Sequence, residues 1–138
     1  MKCRLLLLFV LAAALALCAC RSGRPIGAFA YDVPQNTSQK AMTQKMMHDA
    51  IVKGCLERGW RVAEPSANLI EATVVVRGKH TVVVDIPYTA AHYDIKYKSS
   101  VNMDYKTKDG TPCIHPNYNK WVGLLDEAIR KNILISML

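Results

Sequence analysis

The chain has 138 residues, five cysteines and a formal net charge of +7 at pH 7. This length suits a single domain, and the sequence contains no internal repeat or low-complexity stretch, which excludes a repeat array. No segment carries a cluster of basic residues, which argues against a nucleic-acid-binding protein.

Residues 1–19 have the pattern of a secretory signal peptide. Lys2 and Arg4 precede the apolar run Leu5–Leu17, and small residues with cysteine follow. Charge, core length and exit residues all fit such a signal. The run is shorter than the ~20 residues that a membrane-spanning helix needs. We therefore predict that the segment is removed and that the mature protein works outside the cytoplasm, away from nucleic acid.

The exit site Leu17-Cys18-Ala19-Cys20 resembles the lipobox of bacterial lipoproteins, in which Leu and two small residues precede cysteine. The resemblance implies cleavage before Cys20 and a diacylglycerol group on its sulfur. Cys18 fits less well, because the large Leu17 would then precede the cut. Arg21, in place of aspartate, favours the periplasmic face of the outer membrane by analogy. The alternative is a plain secreted protein with a cysteine near its cleavage site.

Loss of the signal removes Lys2 and Arg4, so 16 basic residues remain against 11 acidic ones, a net charge of +5. A tethered body of this charge would be attracted to anionic lipid headgroups. Residues 20–37 contain Gly23, Pro25, Gly27 and Pro34 and are predicted to be a flexible tether, with a short extended piece at Ile26–Val33.

A first helix is predicted from Gln39 to Arg58, with Asn36-Thr37-Ser38 as capping residues. Its apolar residues recur at helical spacing, and Gly59 suits the left-handed conformation that ends a helix. A second helix begins after Pro116, which is well placed in a first helical turn. Its apolar stripe comprises Tyr118, Trp121, Leu125, Ile129 and Ile133.

Between the helices, apolar and polar residues alternate, which is typical of strands with one buried face. The alternating segments are Trp60–Ala63, Ile70–Arg77, Thr81–Tyr88, Tyr93–Lys98 and Val101–Lys106. Short connections, including Gly78-Lys79 and Ser99-Ser100, favour an antiparallel meander. We therefore predict one α+β domain, 38–138, in which a four- to five-stranded antiparallel meander carries two helices on one face.

Tracing this meander places the loops Pro65–Asn68, Thr89–His92 and Lys106–His115 at one end of the sheet, so both helices should begin there. Cys55 then lies far from Cys113, and no disulfide between them is expected. Cys55 should instead pack in the core. His92, His115 and Cys113 could approach one another, but their spacing matches no zinc motif. No metal or other cofactor is predicted.

The stretch Ile114–Trp121, "IHPNYNKW", places polar and aromatic residues at a helix N-terminus. One hypothesis is a small-ligand pocket at this end; the favoured one is a structural cap with core aromatics. The residues concerned are His92, His115, Asn117, Tyr118 and Trp121. Cys113 and His115 lack an orienting carboxylate, and no hydrolase or nucleotide-binding motif is present, so we do not expect an enzyme.

On the open face of the sheet, Val75 and Val83 belong to neighbouring strands and both point outward. They could form a small apolar patch for a partner or for self-association. The alternative is that they are isolated β-branched residues, which strands favour for packing reasons.

Three segments, "RGW", "IPYTAAHYDIKYKSSVNMDY" and "IHPNYNKWV", resemble a family of small proteobacterial lipoproteins without an agreed activity. The resemblance extends from the first helix through the second. It implies a lipid anchor and a single domain, and it transfers no site. We expect a non-catalytic module that binds another envelope protein or a cell-wall or lipid component. A small-ligand binder is the alternative, and a hydrolase or metal-dependent enzyme is the least favoured.

Overall fold

The computed structural model describes residues 23–34 and 40–138. The predicted signal 1–19, the lipidation site Cys20 and the capping residues Asn36–Ser38 lie outside the described residues. In chain order the elements are β1 (Arg24–Pro25), β2 (Phe29–Asp32), α1 (Gln44–Glu57), β3 (Arg61–Ser66), β4 (Leu69–Val76), β5 (His80–Pro87), β6 (His92–Val101), β7 (Lys106–Lys108), β8 (Thr111–Ile114) and α2 (Asn117–Ser136).

The main sheet has five strands in the order β2-β6-β5-β4-β3, and every neighbouring pair is antiparallel. Alternate residues of β4 and β5, such as Ile70, Ala72, Val82 and Val84, are buried in one core with residues of both helices. The predicted α+β fold is confirmed: β3 to β6 form a meander, and both helices cover the same face.

The helices have the expected apolar faces, with adjusted ends. α1 starts at Gln44, five residues later than predicted, because the Thr43 side chain accepts the Met46 backbone N–H at 3.2 Å and caps the helix there. Gly59 follows the helix with a φ of +74°, as its exit position requires. The helices approach closely where Gly54 of α1 faces Ile129 of α2.

The predicted turn at Ser99–Ser100 is wrong. β6 continues to Val101, and a bulge interrupts its pairing: Val84 pairs with Tyr97, whereas Val83 pairs with Ser99. Lys98 is the extra residue, since a bulge places two residues opposite one. The chain reverses later, around Asn102 and Asp104, both of which have positive φ. The predicted strand Val101–Lys106 and loop Lys106–His115 are replaced by this reversal and the β7–β8 hairpin.

This change reverses the direction of α2. We call the sheet end with the β4–β5 turn the Gly78 end, and the end with the β5–β6 loop the Thr89 end. α2 begins at the Gly78 end, where the Trp121 ring centroid lies 6.3 Å from that of His80. It finishes beside the start of α1, where the Met137 carbonyl accepts the Lys40 N–H. The prediction that both helices begin at one end is therefore wrong, and the helices are antiparallel.

Residues predicted as a flexible tether contribute two strands. β2 pairs along β6, with Phe29 opposite Ile95 and Asp32 opposite His92, and supplies the fifth strand of the main sheet. β1 joins β8 and β7 in a second, three-stranded sheet. The predicted extended piece Ile26–Val33 contains β2, but the local pattern did not indicate its partner, because β6 begins 60 residues later. None of the described helices combines the length and apolar character needed to cross a bilayer.

Candidate functional site

The predicted pocket residues do not come together. His92 starts β6 at the Thr89 end, whereas the His115 backbone N–H donates to the Met103 carbonyl beyond the other end of that strand, at 2.8 Å. Ten strand residues at ~3.3 Å each separate the two histidines by about 30 Å. The prediction that His92, His115 and Cys113 approach one another is therefore wrong. It failed because the bulge in β6 was interpreted as a turn.

His92 links the edge strand β2 to β6. Its Nδ1 lies 2.7 Å from Asp32 Oδ1, and its Nε2 lies 3.4 Å from Asp94 Oδ2. The hydrogen bond to Asp32, with a smaller one to Asp94, favours the imidazolium and raises the pKa of His92. This arrangement holds a strand edge together with two carboxylates.

His115 and Asn117 form a local cap at the start of α2. His115 Nδ1 accepts the Asn117 backbone N–H at 3.1 Å, which satisfies one of the free donors of a helix N-terminus. Asn119, in the same stretch, bridges to the N-terminal segment: its Oδ1 accepts the Gly27 N–H at 2.8 Å and its Nδ2 donates to the Pro25 carbonyl at 2.9 Å. These contacts fasten residues 25–27 to the first turn of α2.

Tyr118 and Trp121 contribute mainly to packing. Tyr118 is fully buried and contacts the Tyr97 ring edge-on, with centroids 5.7 Å apart. Burial raises the pKa of Tyr118, and no described residue forms a hydrogen bond with its hydroxyl. Trp121 is half-buried and lines a shallow groove of about 110 Å³ with Trp60 and Leu124.

A buried polar cluster that the sequence analysis did not identify lies between α2, β2 and β6. The Tyr93 hydroxyl donates to Asp126 Oδ1 at 2.6 Å, and Arg130 Nε lies 2.8 Å from Asp126 Oδ2. The Arg130 guanidinium stacks over the Tyr31 ring at 4.7 Å and donates to the Ala30 carbonyl. Burial, with the neighbouring Asp126, raises the pKa of Tyr93. The cluster neutralises a buried carboxylate and fixes β2 against α2.

One sequence signal could have indicated this cluster. Asp126 and Arg130 stand four residues apart, the spacing of ion pairs on a helix. Asp126 also follows Leu125 on the buried side of the helix, where an aspartate requires a partner. The partners from β6 and β2 could not be read locally, since Tyr93 and Tyr31 are 33 and 95 positions away in the chain.

A second histidine joins two elements at the Thr89 end. His48 Nδ1 lies 3.0 Å from Asp49 Oδ1, and its Nε2 lies 2.9 Å from Glu64 Oε1 on β3. The hydrogen bonds to Asp49 and Glu64 raise the pKa of His48. Within residues 23–34 and 40–138, no three or more His, Cys, Asp or Glu side chains are grouped so as to hold a metal ion.

The two cysteines of the described residues differ in state. Cys55 is a free, fully buried thiol, and burial raises its pKa to about 12. Cys113 is disulfide-bonded, and its partner is not Cys55. The prediction that Cys55 packs in the core without bonding to Cys113 is therefore confirmed. A disulfide sulfur is not a thiolate, so Cys113 in this state does not act as a nucleophile with His115.

The sheet face opposite the helices carries an uncharged area near the Gly78 end. Val75 pairs with Thr81, and Thr81 pairs with Val101, so the three form a row across β4, β5 and β6. Val75 is 46% exposed and Val101 is 57% exposed. Val83 pairs with Thr73 in the next row, so it lies diagonal to Val75 and not opposite it. Val101 was missed because its segment was assigned to a separate strand.

Charged residues border this area on the same face. Lys98, the bulge residue, lies 2.7 Å from Glu71 Oε2 and 3.1 Å from Asp85 Oδ1. The open face therefore has an area rich in valine and threonine, bordered by Arg61 opposite Thr73 on β3 and by the paired charges around Lys98. We call residues Thr73, Val75, Thr81, Val83 and Val101 the valine patch.

Comparison with known protein families, curated proteins and solved structures yields no match for this chain. The resemblance to proteobacterial lipoproteins stays a prediction, and the functional argument depends on the geometry.

Proposed function

We propose that this protein is a non-catalytic lipoprotein of the bacterial envelope, anchored through Cys20 at the periplasmic face of the outer membrane, that binds another protein through the valine patch. The observation that carries the binding proposal is the exposed row Val75–Thr81–Val101. Its side chains project from three hydrogen-bonded strands, so the surface is preorganised and loses little conformational entropy on binding.

The chemistry of the patch favours a protein partner with a largely apolar surface. Two well-exposed valines lie on either side of a threonine. The charges around Lys98 are paired with one another, and Arg61, opposite Thr73 on β3, is an exposed cation at the border of the patch. Contiguous exposed apolar surface of this kind is typical of protein–protein contact sites. The small-ligand alternative loses its geometric basis, because His92 and His115 lie at opposite ends of the sheet.

Site-specific photo-crosslinking in cells tests the binding proposal. A photoreactive amino acid at Thr81 of the lipidated protein should give a defined adduct, whereas the same group at Lys45, an exposed α1 position, should not. The adduct should disappear in a Val75→Lys/Val101→Lys variant. It should persist in a Lys40→Glu/Lys45→Glu variant, altered on the helix side.

These substitutions are on the surface, so each should change the unfolding free energy by less than about 1 kcal/mol. Thermal unfolding of each variant therefore verifies that lost crosslinking is not lost folding. Two results would refute the valine patch as the binding surface: a Thr81 adduct that persists in the Val75→Lys/Val101→Lys variant, or equal crosslinking from positions 81 and 45.

The anchor is tested separately by mass spectrometry of the mature protein. Cleavage before Cys20 with a diacylglycerol mass on the first residue is expected, and Cys20→Ser should abolish membrane fractionation. A lipidated cysteine is a thioether, which cannot enter a disulfide. With residues 1–19 removed and Cys20 lipidated, a disulfide of Cys113 can form only with a second molecule, because Cys55 is a free thiol; peptide mapping without reduction will identify the partner. Finding Cys20 in that bond would contradict the anchor while leaving the valine patch untouched.

A further inference from the structure

Five basic side chains converge on the Gly78 end from distant parts of the chain. Arg58 follows α1, Arg77 and Lys79 belong to the β4–β5 turn, Lys120 lies in the first turn of α2, and Arg24 lies in β1. All five are exposed. None forms an ion pair with any residue of the described segments.

The acidic residues near this end do not offset these charges. Asp104 lies next to the β7–β8 hairpin and Asp109 lies within it. The hairpin also carries Lys106 and Lys108, so its positive and negative charges are equal in number. Glu57, beside Arg58, is paired with Lys131 at 2.7 Å. Four other carboxylates, Asp32, Asp49, Glu64 and Asp94, cluster around the two histidines of the Thr89 end. The Gly78 end therefore carries an excess of exposed cations over nearby carboxylates.

An apolar groove with both tryptophans of the chain opens among these cations. Trp60, Trp121, Leu124, Val74 and Val76 line it, and Arg58 stands at its edge. Tryptophan is enriched at membrane–water interfaces because its ring is apolar while its N–H is polar. Basic residues around an indole-lined surface match the layered chemistry of anionic headgroups above acyl chains.

The first described residues of the N-terminal segment also lie at this end. Gly23, the first described residue, packs against the Ile114 backbone, and Asn119 in α2 holds Pro25 and Gly27. Cys20 precedes Gly23 by three residues, which span at most about 10 Å when fully extended. A lipid on Cys20 would therefore hold a bilayer within about 10 Å of Gly23, a distance comparable to the Debye length at physiological ionic strength.

We propose that the Gly78 end is a docking surface for an anionic phospholipid bilayer. Arg24, Arg58, Arg77, Lys79 and Lys120 contact the headgroups, and the Trp121 side of the groove faces the interface. The open sheet face then stands roughly perpendicular to the bilayer plane, with the valine patch at its bilayer-proximal end and open to a partner from the side. The tether argument rests on the proposed lipid anchor, whereas the charge distribution and the groove do not.

The test uses the mature chain 20–138, exported behind an ordinary cleavable signal peptide so that no lipid is attached. We expect it to co-sediment with phosphatidylcholine vesicles containing roughly 30 mol% phosphatidylglycerol, because anionic headgroups attract basic residues near the surface. Binding should weaken as salt rises and should be absent on pure phosphatidylcholine. A nitroxide-headgroup lipid should quench the tryptophan fluorescence of the bound protein.

Two charge-matched variants decide which surface binds. Each basic residue near a membrane strengthens partitioning roughly fivefold, so Arg77→Glu/Lys79→Glu should weaken it by about 25-fold or more. Lys40→Glu/Lys45→Glu, which changes the net charge equally near the Thr89 end, should weaken it only a few-fold. Equal losses in the two variants, or no binding of the parent to anionic vesicles, would overturn the proposal. Because this protein has no lipid, neither result depends on the outcome at Cys20.

Discussion

Two buried tyrosines with opposite hydrogen-bonding states give a stringent test of the structure. Tyr93 and Tyr118 are both completely buried. The Tyr93 hydroxyl donates to Asp126 at 2.6 Å, whereas the Tyr118 hydroxyl has no partner within the segments that the structure describes. Replacing either one by phenylalanine removes a single oxygen and keeps the ring, so the same chemical change is made in two environments.

The two substitutions should shift stability in opposite directions. Tyr93→Phe removes a hydrogen bond to a buried carboxylate, a loss of about 1.5–3 kcal/mol. Tyr118→Phe removes a buried hydroxyl that has lost its water contacts without compensation, which should gain about 1 kcal/mol. The ring contacts of Tyr93 with Tyr31 and of Tyr118 with Tyr97 persist in both variants. We therefore expect the unfolding free energies of the two variants to differ by about 2.5–4 kcal/mol.

Urea unfolding followed by far-UV circular dichroism measures both values, with thermal unfolding as a second readout. For a domain of this size, 1 kcal/mol corresponds to roughly 4 °C in Tm, so the two midpoints should lie about 10–16 °C apart. Unchanged m-values would show that the variants unfold from the same native structure. Equal destabilisation by both substitutions would refute the assigned hydrogen bonding of the buried tyrosines.

Three further predictions concern packing, pH and reactivity. Gly54→Ala places a methyl group 2.9 Å from the Ile129 backbone nitrogen, whereas Gly123→Ala meets only an ordinary contact at 3.6 Å. The Gly54→Ala variant should therefore be about 1–3 kcal/mol less stable than the Gly123→Ala variant, as urea unfolding will measure. The raised pKa of His48 and of His92 means that their stabilisation is complete below the unfolded value of 6.5 and is lost as pH rises through the folded value. The urea midpoint of the parent should therefore fall from pH 6 to pH 8. A fall of the same size in a His48→Gln/His92→Gln variant would contradict this assignment. Because the pKa of Cys55 is raised to about 12, from 9.0, native protein at pH 8 should be alkylated at Cys55 on the order of a thousandfold more slowly than unfolded protein. Mass spectrometry measures both rates, and rapid labelling of the native protein would show that the core around Cys55 is open.

Periodicity predicted most of the secondary structure, because helices and strands bury residues at fixed local spacing. The alternation in Ile70–Val76 and Thr81–Ile86 identified paired strands, and the stripe containing Met47, Ile51 and Cys55 identified the buried side of α1. Cys55 does not bond to Cys113, as predicted, but the premise that the two lie at opposite ends of the sheet was wrong, because β8 with Cys113 and the last turn of α1 both lie at the Gly78 end. The candidate site was predicted less well, since its residues were grouped by an end assignment that required every turn to be correct.

One bulge shows why the grouping failed. Ser99 and Ser100 are polar and adjacent, and within their own neighbourhood a turn and a bulge have the same residue preferences. The choice is made by hydrogen bonds to Val83 and Val82, which lie 16 and 18 positions earlier in the chain. A single missed bulge changes where the strand ends, and it therefore reverses every element that follows.

By itself, the sequence determined both helices, strands β3 to β5 and their buried sides, because those properties depend on neighbours a few positions away. Only the tertiary structure decided that α2 runs antiparallel to α1, that Tyr93, Asp126 and Arg130 meet, and that Val101 joins Val75. It also decided that isolated cations from Arg24 to Lys120 share one end of the molecule. The physical reason is that strand pairing and helix packing are set by long-range contacts, for which the local pattern carries no signal.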